Sequence, residues 1–313
     1  MSQAPLLRIG TRGSPLALAQ ANELRARLIA AHPALAQPNA IAIEVIRTSG
    51  DAFIDRPLAE IGGKGLFVKE IEDALIERRI DLAVHSMKDV PTALPDGLVI
   101  ACILPREDPR DALIAQRATS LADLPLGARV GTASLRRQAQ LLLKRPDLEI
   151  VVLRGNVQTR VRKVEEGAAD ATLLALAGLK RLDALRHVKA VLEPEEMLPA
   201  VAQGAIGIET RIDDERVAAL LAPLNHEESM IRVSAERALL AALEGNCRTP
   251  IAALAEIVEG DRVRLRALIA TPDGRFCHRA ERTASVHDAV SLGHEIGDAL
   301  KVEAGPGFFA APA

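Results

Sequence analysis

Short apolar-rich runs and amphipathic stretches alternate along the first hundred residues. Leu6–Gly10 reads as a buried strand. Ser14 followed by Pro15 supplies an N-cap and a first-turn proline, predicting a helix to about Ile29. Ile41–Arg47 alternates apolar and polar residues as a strand does. Gly62-Gly63-Lys64-Gly65 precedes a helical pattern from Leu66 to Arg78, with Phe67, Ile71 and Leu75 on one face. Leu82–Val84 is a short strand running into His85-Ser86-Met87-Lys88-Asp89-Val90-Pro91, and Leu98–Leu104 is another. Strands separated by helices of this length predict βαβ units and a largely parallel sheet.

The pattern then restarts. Strands are predicted at Ala112–Ala115, Arg129–Gly131, Ile150–Leu153 and Ala171–Leu176, with helices at Ser134–Leu143 and Val157–Glu166. Pro105-Arg106-Glu107-Asp108-Pro109 reads as a crossing between domains, and Ala200–Glu209 as a strand returning to the first. The last part changes character. A helix at Glu228–Leu243 is followed by strands at Ile251–Val258, Val263–Ala270 and Arg275–Ala280, with hairpin signals at Gly260-Asp261 and Asp273-Gly274. A final helix is expected over Ser285–Glu303. The expected organisation is a first α/β domain over 1–104 and 200–222, a second over 105–199, and an α+β module with an antiparallel sheet over 223–313.

Composition narrows the function classes. The length of 313 residues suits two or three domains. With 39 basic and 42 acidic side chains the formal charge is -3, which excludes a generally basic nucleic-acid binder but leaves room for a local basic pocket. There is no Trp or Tyr and there are five Phe, too few for a base-stacking platform. Cys102, Cys247 and Cys277 form no CxxC and no disulfide framework, which fits a reducing cytoplasm. No signal-peptide pattern or bilayer-length apolar run is present, so a soluble cytoplasmic protein without nucleic-acid or membrane partners is expected.

The arginines carry the most information. In Thr132-Ala133-Ser134-Leu135-Arg136-Arg137, two guanidiniums sit in a first helical turn, where the helix dipole disfavours them unless an anion is close. Leu153-Arg154-Gly155-Asn156 through Arg160, Gly178-Leu179-Lys180-Arg181 and Thr11-Arg12-Gly13-Ser14 repeat the theme after other strands. Basic loops at several strand ends predict a site for several carboxylates or phosphates, against the plainer reading of solvated helix faces. The Gly62–Gly65 turn lacks P-loop spacing. Asp89 is either an acid stabilising positive charge among these cations or a structural partner of Lys88 or Arg12. Cys247, in the loop Glu244-Gly245-Asn246-Cys247-Arg248, is either a thiol activated by the neighbouring Arg248 or, on the plainer reading, a loop cysteine of no consequence.

Taken in order along nearly the whole chain, these motifs resemble the porphobilinogen deaminase family. The matching stretches are Gly10–Gln20, Gly62–Glu70, His85–Pro91, Gly131–Arg137, Leu153–Arg160 and Gly245-Asn246-Cys247. The resemblance implies two α/β domains like the halves of periplasmic binding proteins, joined by crossovers, plus the smaller C-terminal domain. It implies a monomeric transferase that joins four porphobilinogens head to tail and releases hydroxymethylbilane. It also implies a dipyrromethane cofactor held as a thioether, with Cys247 at the matching position. By the same match Asp89 is the catalytic acid. Lys88, Ser134, Arg136, Arg137, Arg154 and Arg160 contact the cofactor, and Arg12, Ser14, Lys64, Phe67, Arg181 and Gln203 contact substrate. Two positions depart from the family pattern: Glu60, where some relatives are basic, and Asn246, where Gly is common.

Two other classes fit parts of the chain. A non-catalytic anion receptor would explain the paired α/β halves but not the third module or its cysteine loop. A phosphate-ester enzyme would need an acidic metal cluster or a P-loop, and the sequence shows neither motif.

Overall fold

A computed structural model describes residues 6–52, 68–245 and 249–309. By their contacts the described residues gather into two compact units, one of 6–52, 68–107 and 205–230, the other of 108–204, 231–245 and 249–309. The antiparallel C-terminal module thus belongs to the same unit as the second α/β sheet.

The first unit is built on β1 (Leu7–Thr11), β2 (Ile41–Val45), β3 (Leu82–Ser86), β4 (Leu98–Ile103) and a late strand, β10 (Ile206–Arg211), in the order β2-β1-β3-β10-β4. Its helices are α1 (Pro15–Ala31), α2 (Ser49–Ala52), α3 (Lys69–Ile76) and α7 (Glu215–Leu221), and α8 (Glu227–Ala242) starts here. Alternation sorts the strand side chains. Leu82, Val84, Ile206 and Ile208 face a core completed by Ala21, Leu24 and Leu28 of α1. Ala83 faces the other way, onto Ile71, Ala74 and Leu75 of α3.

The second unit repeats the scheme with β5 (Asp111–Ala115), β6 (Arg129–Gly131), β7 (Glu149–Val151), β8 (Ala171–Ala175) and β9 (Ala190–Leu192), ordered β7-β6-β8-β5-β9. Helices α4 (Leu135–Lys144), α5 (Val157–Glu165) and α6 (Leu176–Arg181) follow β6, β7 and β8. Leu113 and Ala115 join the core that contains Leu141 of α4, while Ala112 and Ile114 join the one that contains Val161 of α5 and Leu179 of α6. The C-terminal module is a sheet of β11 (Ile251–Val258), β12 (Arg262–Ala270) and β13 (Cys277–Ser285), followed by α9 (Ala289–Ala304). It packs on α4: Ala139 and Leu198 share a cluster with Ala252, Leu254, Leu268 and Ala270. At the β12–β13 turn a Cβ on Gly274 would lie 2.6 Å from the Leu143 nitrogen, so only glycine lets the hairpin sit this close to the helix.

The expectation of largely parallel sheets holds for four strands of each, which point the same way. One strand in each runs against them: β10 is antiparallel to β3 and β4, and β5 to β8 and β9. Both are the first strands the chain forms in their unit after a crossing. The returning strand starts at Ile206 rather than Ala200, because Ala202 (φ 57°) and Gly204 (φ 89°) turn the backbone first. β13 runs on to Ser285, past the predicted Ala280, because nine consecutive pairings with β12 hold its polar residues in the sheet. β9 was not predicted from the pattern.

Candidate functional site

In the first unit, β1 and β3 are adjacent and parallel, so the loops that follow them emerge at the same edge of the sheet. After β1, Ser14 caps α1 by accepting from the Ala17 N–H at 3.2 Å, and Pro15 occupies the first turn. Arg12, just ahead of the cap, is half-buried. After β3, a single 3-10 turn, Met87–Asp89, buries Met87, half-buries Lys88 and leaves Asp89 exposed. Pro91 comes two residues later and blocks helical continuation.

In the second unit, β7, β6 and β8 are parallel neighbours, so the loops leading into α4, α5 and α6 likewise share an edge. Ser134 caps α4, accepting from the Arg137 N–H at 3.4 Å. Arg136 and Arg137 are not on a solvated helix face; each is about 5% exposed. Their anion comes from the same chain. Arg136 Nη2 donates to Asp111 Oδ2 at 2.7 Å, and Arg137 Nη2 donates to Asp111 Oδ1 at 2.7 Å. Asp111 stands opposite Ala175 at the end of β8 and is fully buried. Burial pushes its carboxyl up, but the charges and hydrogen bonds of Arg136 and Arg137 outweigh this and hold it well below the ordinary carboxylate range. Gln203 completes the cluster, donating to Asp111 Oδ1 at 2.9 Å and to the Pro109 carbonyl at 2.7 Å. Three side chains picked out in the sequence thus converge on one that was not. Its only sequence signal was an acid opening an otherwise apolar buried strand.

The cluster holds two guanidiniums against one carboxylate. Nε of Arg136 and Nε of Arg137 are both buried without a hydrogen-bond partner among the described residues. The next loop shows the same feature: Arg154 Nη1 is buried and has no hydrogen-bond partner among the described residues. That loop turns at Gly155 (φ 120°), where a Cβ would lie 2.7 Å from Thr159 Cγ2. Asn156 then caps α5 by accepting from the Thr159 N–H at 2.8 Å, and Arg160 Nε donates to the Gly155 carbonyl at 2.8 Å. Arg181, at the end of α6, donates to the Gly204 carbonyl at 3.1 Å, next to Gln203.

Arg12, Ser14, Lys88 and Asp89 therefore lie in the first unit, and Ser134, Arg136, Arg137, Arg154, Arg160, Arg181 and Gln203 in the second. Lys64, Phe67 and Cys247, together with the departures at Glu60 and Asn246, lie outside the described residues. No described helix is long and apolar enough to cross a membrane.

Each unit is thus built on a five-stranded α/β sheet, and the second packs guanidiniums at its strand ends. Residues 7–219 match the family model described as "Porphobilinogen deaminase, dipyromethane cofactor binding domain", and residues 230–302 match "Porphobilinogen deaminase, C-terminal domain". The chloroplastic porphobilinogen deaminase of Oryza sativa subsp. japonica is 56% identical, aligned over 98% of this chain and 87% of that protein. The porphobilinogen deaminase of Paracoccus denitrificans is also 56% identical, over 97% of this chain and 96% of that one. Among solved structures, the periplasmic aliphatic sulphonate binding protein of Escherichia coli is 18% identical over 78% of this chain and 71% of its own, with a TM-score of 0.42. The chain belongs to the porphobilinogen deaminase family.

Proposed function

We propose that this chain is a cytoplasmic, monomeric transferase. In this reading it joins four porphobilinogens into hydroxymethylbilane, consuming one water and releasing four ammonia. The observation that carries the reading is the donor set of the second unit. Arg154 Nη1 and the Nε atoms of Arg136 and Arg137 are buried and without a hydrogen-bond partner among the described residues, and two guanidiniums face the carboxylate of Asp111. A dipyrromethane with acetate and propionate side chains suits such donors, because carboxylates accept from guanidinium forks and neutralise the excess charge.

Cys247 would hold the cofactor as a thioether, and Lys88, Ser134, Arg136, Arg137, Arg154 and Arg160 would hold its carboxylates. When bound, it supplies a fixed pyrrole α-carbon as the nucleophilic end for chain growth. The protein's own residues do the rest. Arg12, Ser14, Lys64 and Arg181 bind the carboxylates of incoming substrate, Phe67 packs on its ring, and Gln203 keeps Asp111 and the Pro109 carbonyl in register. Loss of ammonia from the substrate aminomethyl group leaves a cationic carbon. Asp89, an acid beside Lys88 at a strand end, stabilises that charge and the pyrrole N–H groups that carry it.

Incubation of the purified protein with porphobilinogen tests the reading. One bilane formed and four ammonia released per four substrates consumed supports it. Stoichiometric binding without ammonia release would replace it with a receptor.

A further inference from the structure

Helix α8 carries a fully buried acid, Glu236, whose two oxygens accept from segments far apart in the chain. Oε1 accepts from the Ala255 N–H at 2.8 Å, and Oε2 from the Ala202 N–H at 2.6 Å. Sheet geometry explains the first bond. β11 stands at one edge of the order β11-β12-β13, so alternate N–H groups along it point away from the sheet. Ala253 donates outward to the Pro199 carbonyl at 3.1 Å, and Ala255, two residues on, donates to Glu236. One turn earlier on α8, Arg232 Nε donates to the Ala255 carbonyl at 3.1 Å, so the helix holds both backbone polar groups of that residue. The second bond follows from the turn before β10. Ala202 is buried, outside any helix or strand, with φ 57°, and its N–H needs a partner from another segment. A residue other than glycine stays in this left-handed region only where its surroundings dictate it.

The turn held in this way leads to the arginines. Gln203, the next residue, is buried and donates to Asp111 Oδ1 at 2.9 Å and to the Pro109 carbonyl at 2.7 Å. Asp111 in turn accepts from Arg136 and Arg137, each at 2.7 Å. The Gly204 carbonyl accepts from Arg181 at 3.1 Å. Ahead of the turn, the Leu198 carbonyl accepts from Arg136 Nη1 at 2.8 Å and from Gln140 Nε2 at 3.0 Å, and the Leu198 N–H donates to Gln140 Oε1 at 2.8 Å. Residues 198–204 therefore form a strap. Pro199 and Ala202 tie it to β11 and α8, and Leu198, Gln203 and Gly204 tie it to Arg136, Asp111 and Arg181. A guanidinium fork grips a carboxylate only in a narrow range of positions, so the seat of this strap bears on what the arginines can hold.

We infer that Glu236 is a positioning residue for carboxylate binding: it fixes the turn at Ala202 so that Gln203 and Gly204 set Arg136, Arg137 and Arg181. The inference rests on the reading of these arginines as the holders of cofactor and substrate carboxylates. Glu236 acts through the strap and touches neither group itself. Its loss should therefore weaken binding more than turnover, because Asp89 stands in the first unit.

Glu236→Gln keeps the size of the side chain but turns an N–H group toward one of the two N–H donors. This variant, Gln203→Ala and the double variant form a cycle with the wild type, each purified as the full chain. Intact-protein mass gives the fraction carrying the two-pyrrole addition. KM for porphobilinogen and kcat per loaded chain are measured well below each melting temperature. Glu236→Gln should lower the loaded fraction and raise KM by about tenfold, the scale of one lost hydrogen bond to a charged group, with kcat per loaded chain within about threefold of wild type. Gln203→Ala should behave alike. If Glu236 acts through Gln203, the double variant should have a KM within about twofold of the worse single variant, whereas independent effects would multiply to about a hundredfold. A lower melting temperature with KM and loading unchanged would mean a role in folding alone and overturns the inference, as do multiplying effects in the double variant. Should Glu236→Gln not fold, Glu236→Asp, which keeps both acceptor oxygens but draws them back by a methylene, enters the same cycle with the same expectations. A loaded wild type with multiplying effects sinks the positioning role alone. An active wild type of unmodified mass sinks the carboxylate-holding reading and the positioning role with it.

Discussion

The two five-stranded sheets share one plan and spend their buried acids differently. Each has four strands running one way and one reversed strand that the chain forms after a crossing, β10 in the first unit and β5 in the second. Each of these reversed strands carries a fully buried acid, Glu209 and Asp111. Asp111 meets two guanidiniums and leaves a net positive cluster. Glu209 meets one imidazole, and its other oxygen has no hydrogen-bond partner among the described residues. A buried acid on the reversed strand thus holds two arginines in one unit and a histidine in the other. The acid proposed for catalysis, Asp89, differs from both in being exposed at a strand end. An acid buried among arginines is committed to structure, and an exposed one is available for chemistry.

The sharpest way to break that contrast is Asp89→Asn. Bilane formation should fall by about a hundredfold or more, as expected for loss of a main electrostatic stabiliser. Because the side chain is exposed, the melting temperature should stay within about 1 °C of wild type. Substantial activity, or a large loss of stability, would erase the distinction.

Asp111→Ala should do the reverse. Removing one carboxylate strands two buried guanidiniums, and urea unfolding should show a loss of about 3–5 kcal/mol. Since the folded pKa of Asp111 is depressed, its contribution is present above the ordinary aspartate range and is lost only as pH falls through the lower folded value. The wild-type advantage should therefore persist through mildly acidic conditions. A variant as stable as wild type would mean that the arginines are balanced by some other group.

Gly155→Ala probes the loop beside Arg154. The positive φ and the contact with Thr159 predict a loss of roughly 1–3 kcal/mol and a weaker hold on carboxylates, read by unfolding and by KM. Cys277→Ser should change stability by less than about 0.5 kcal/mol and leave turnover intact, since the thiol is half-exposed on a polar strand.

Local rules made much of this legible from the sequence. The Ser14 cap, the Pro15 start, the alternation along Ile41–Val45 and the matched hairpin of β11 and β12 follow from neighbours close in sequence. What escaped depends on partners far apart. The antiparallel direction of β10 is set by pairing with β3, more than a hundred residues earlier, and no periodicity encodes it. Arg136 and Arg137 were legible as cations in need of an anion. That the first anion is Asp111, 25 residues upstream of Arg136, required the fold.

The central claim is that a dipyrromethane primer is fixed to Cys247 and held by the arginines of the second unit. Intact-protein mass measures this directly. The account predicts that the purified wild-type chain weighs more than its sequence by two linked pyrrole units. Cys102→Ser and Cys277→Ser should keep the excess, and Cys247→Ser should lose it together with activity. An active wild-type protein of unmodified mass, or the added mass on Cys102 or Cys277, would contradict the account.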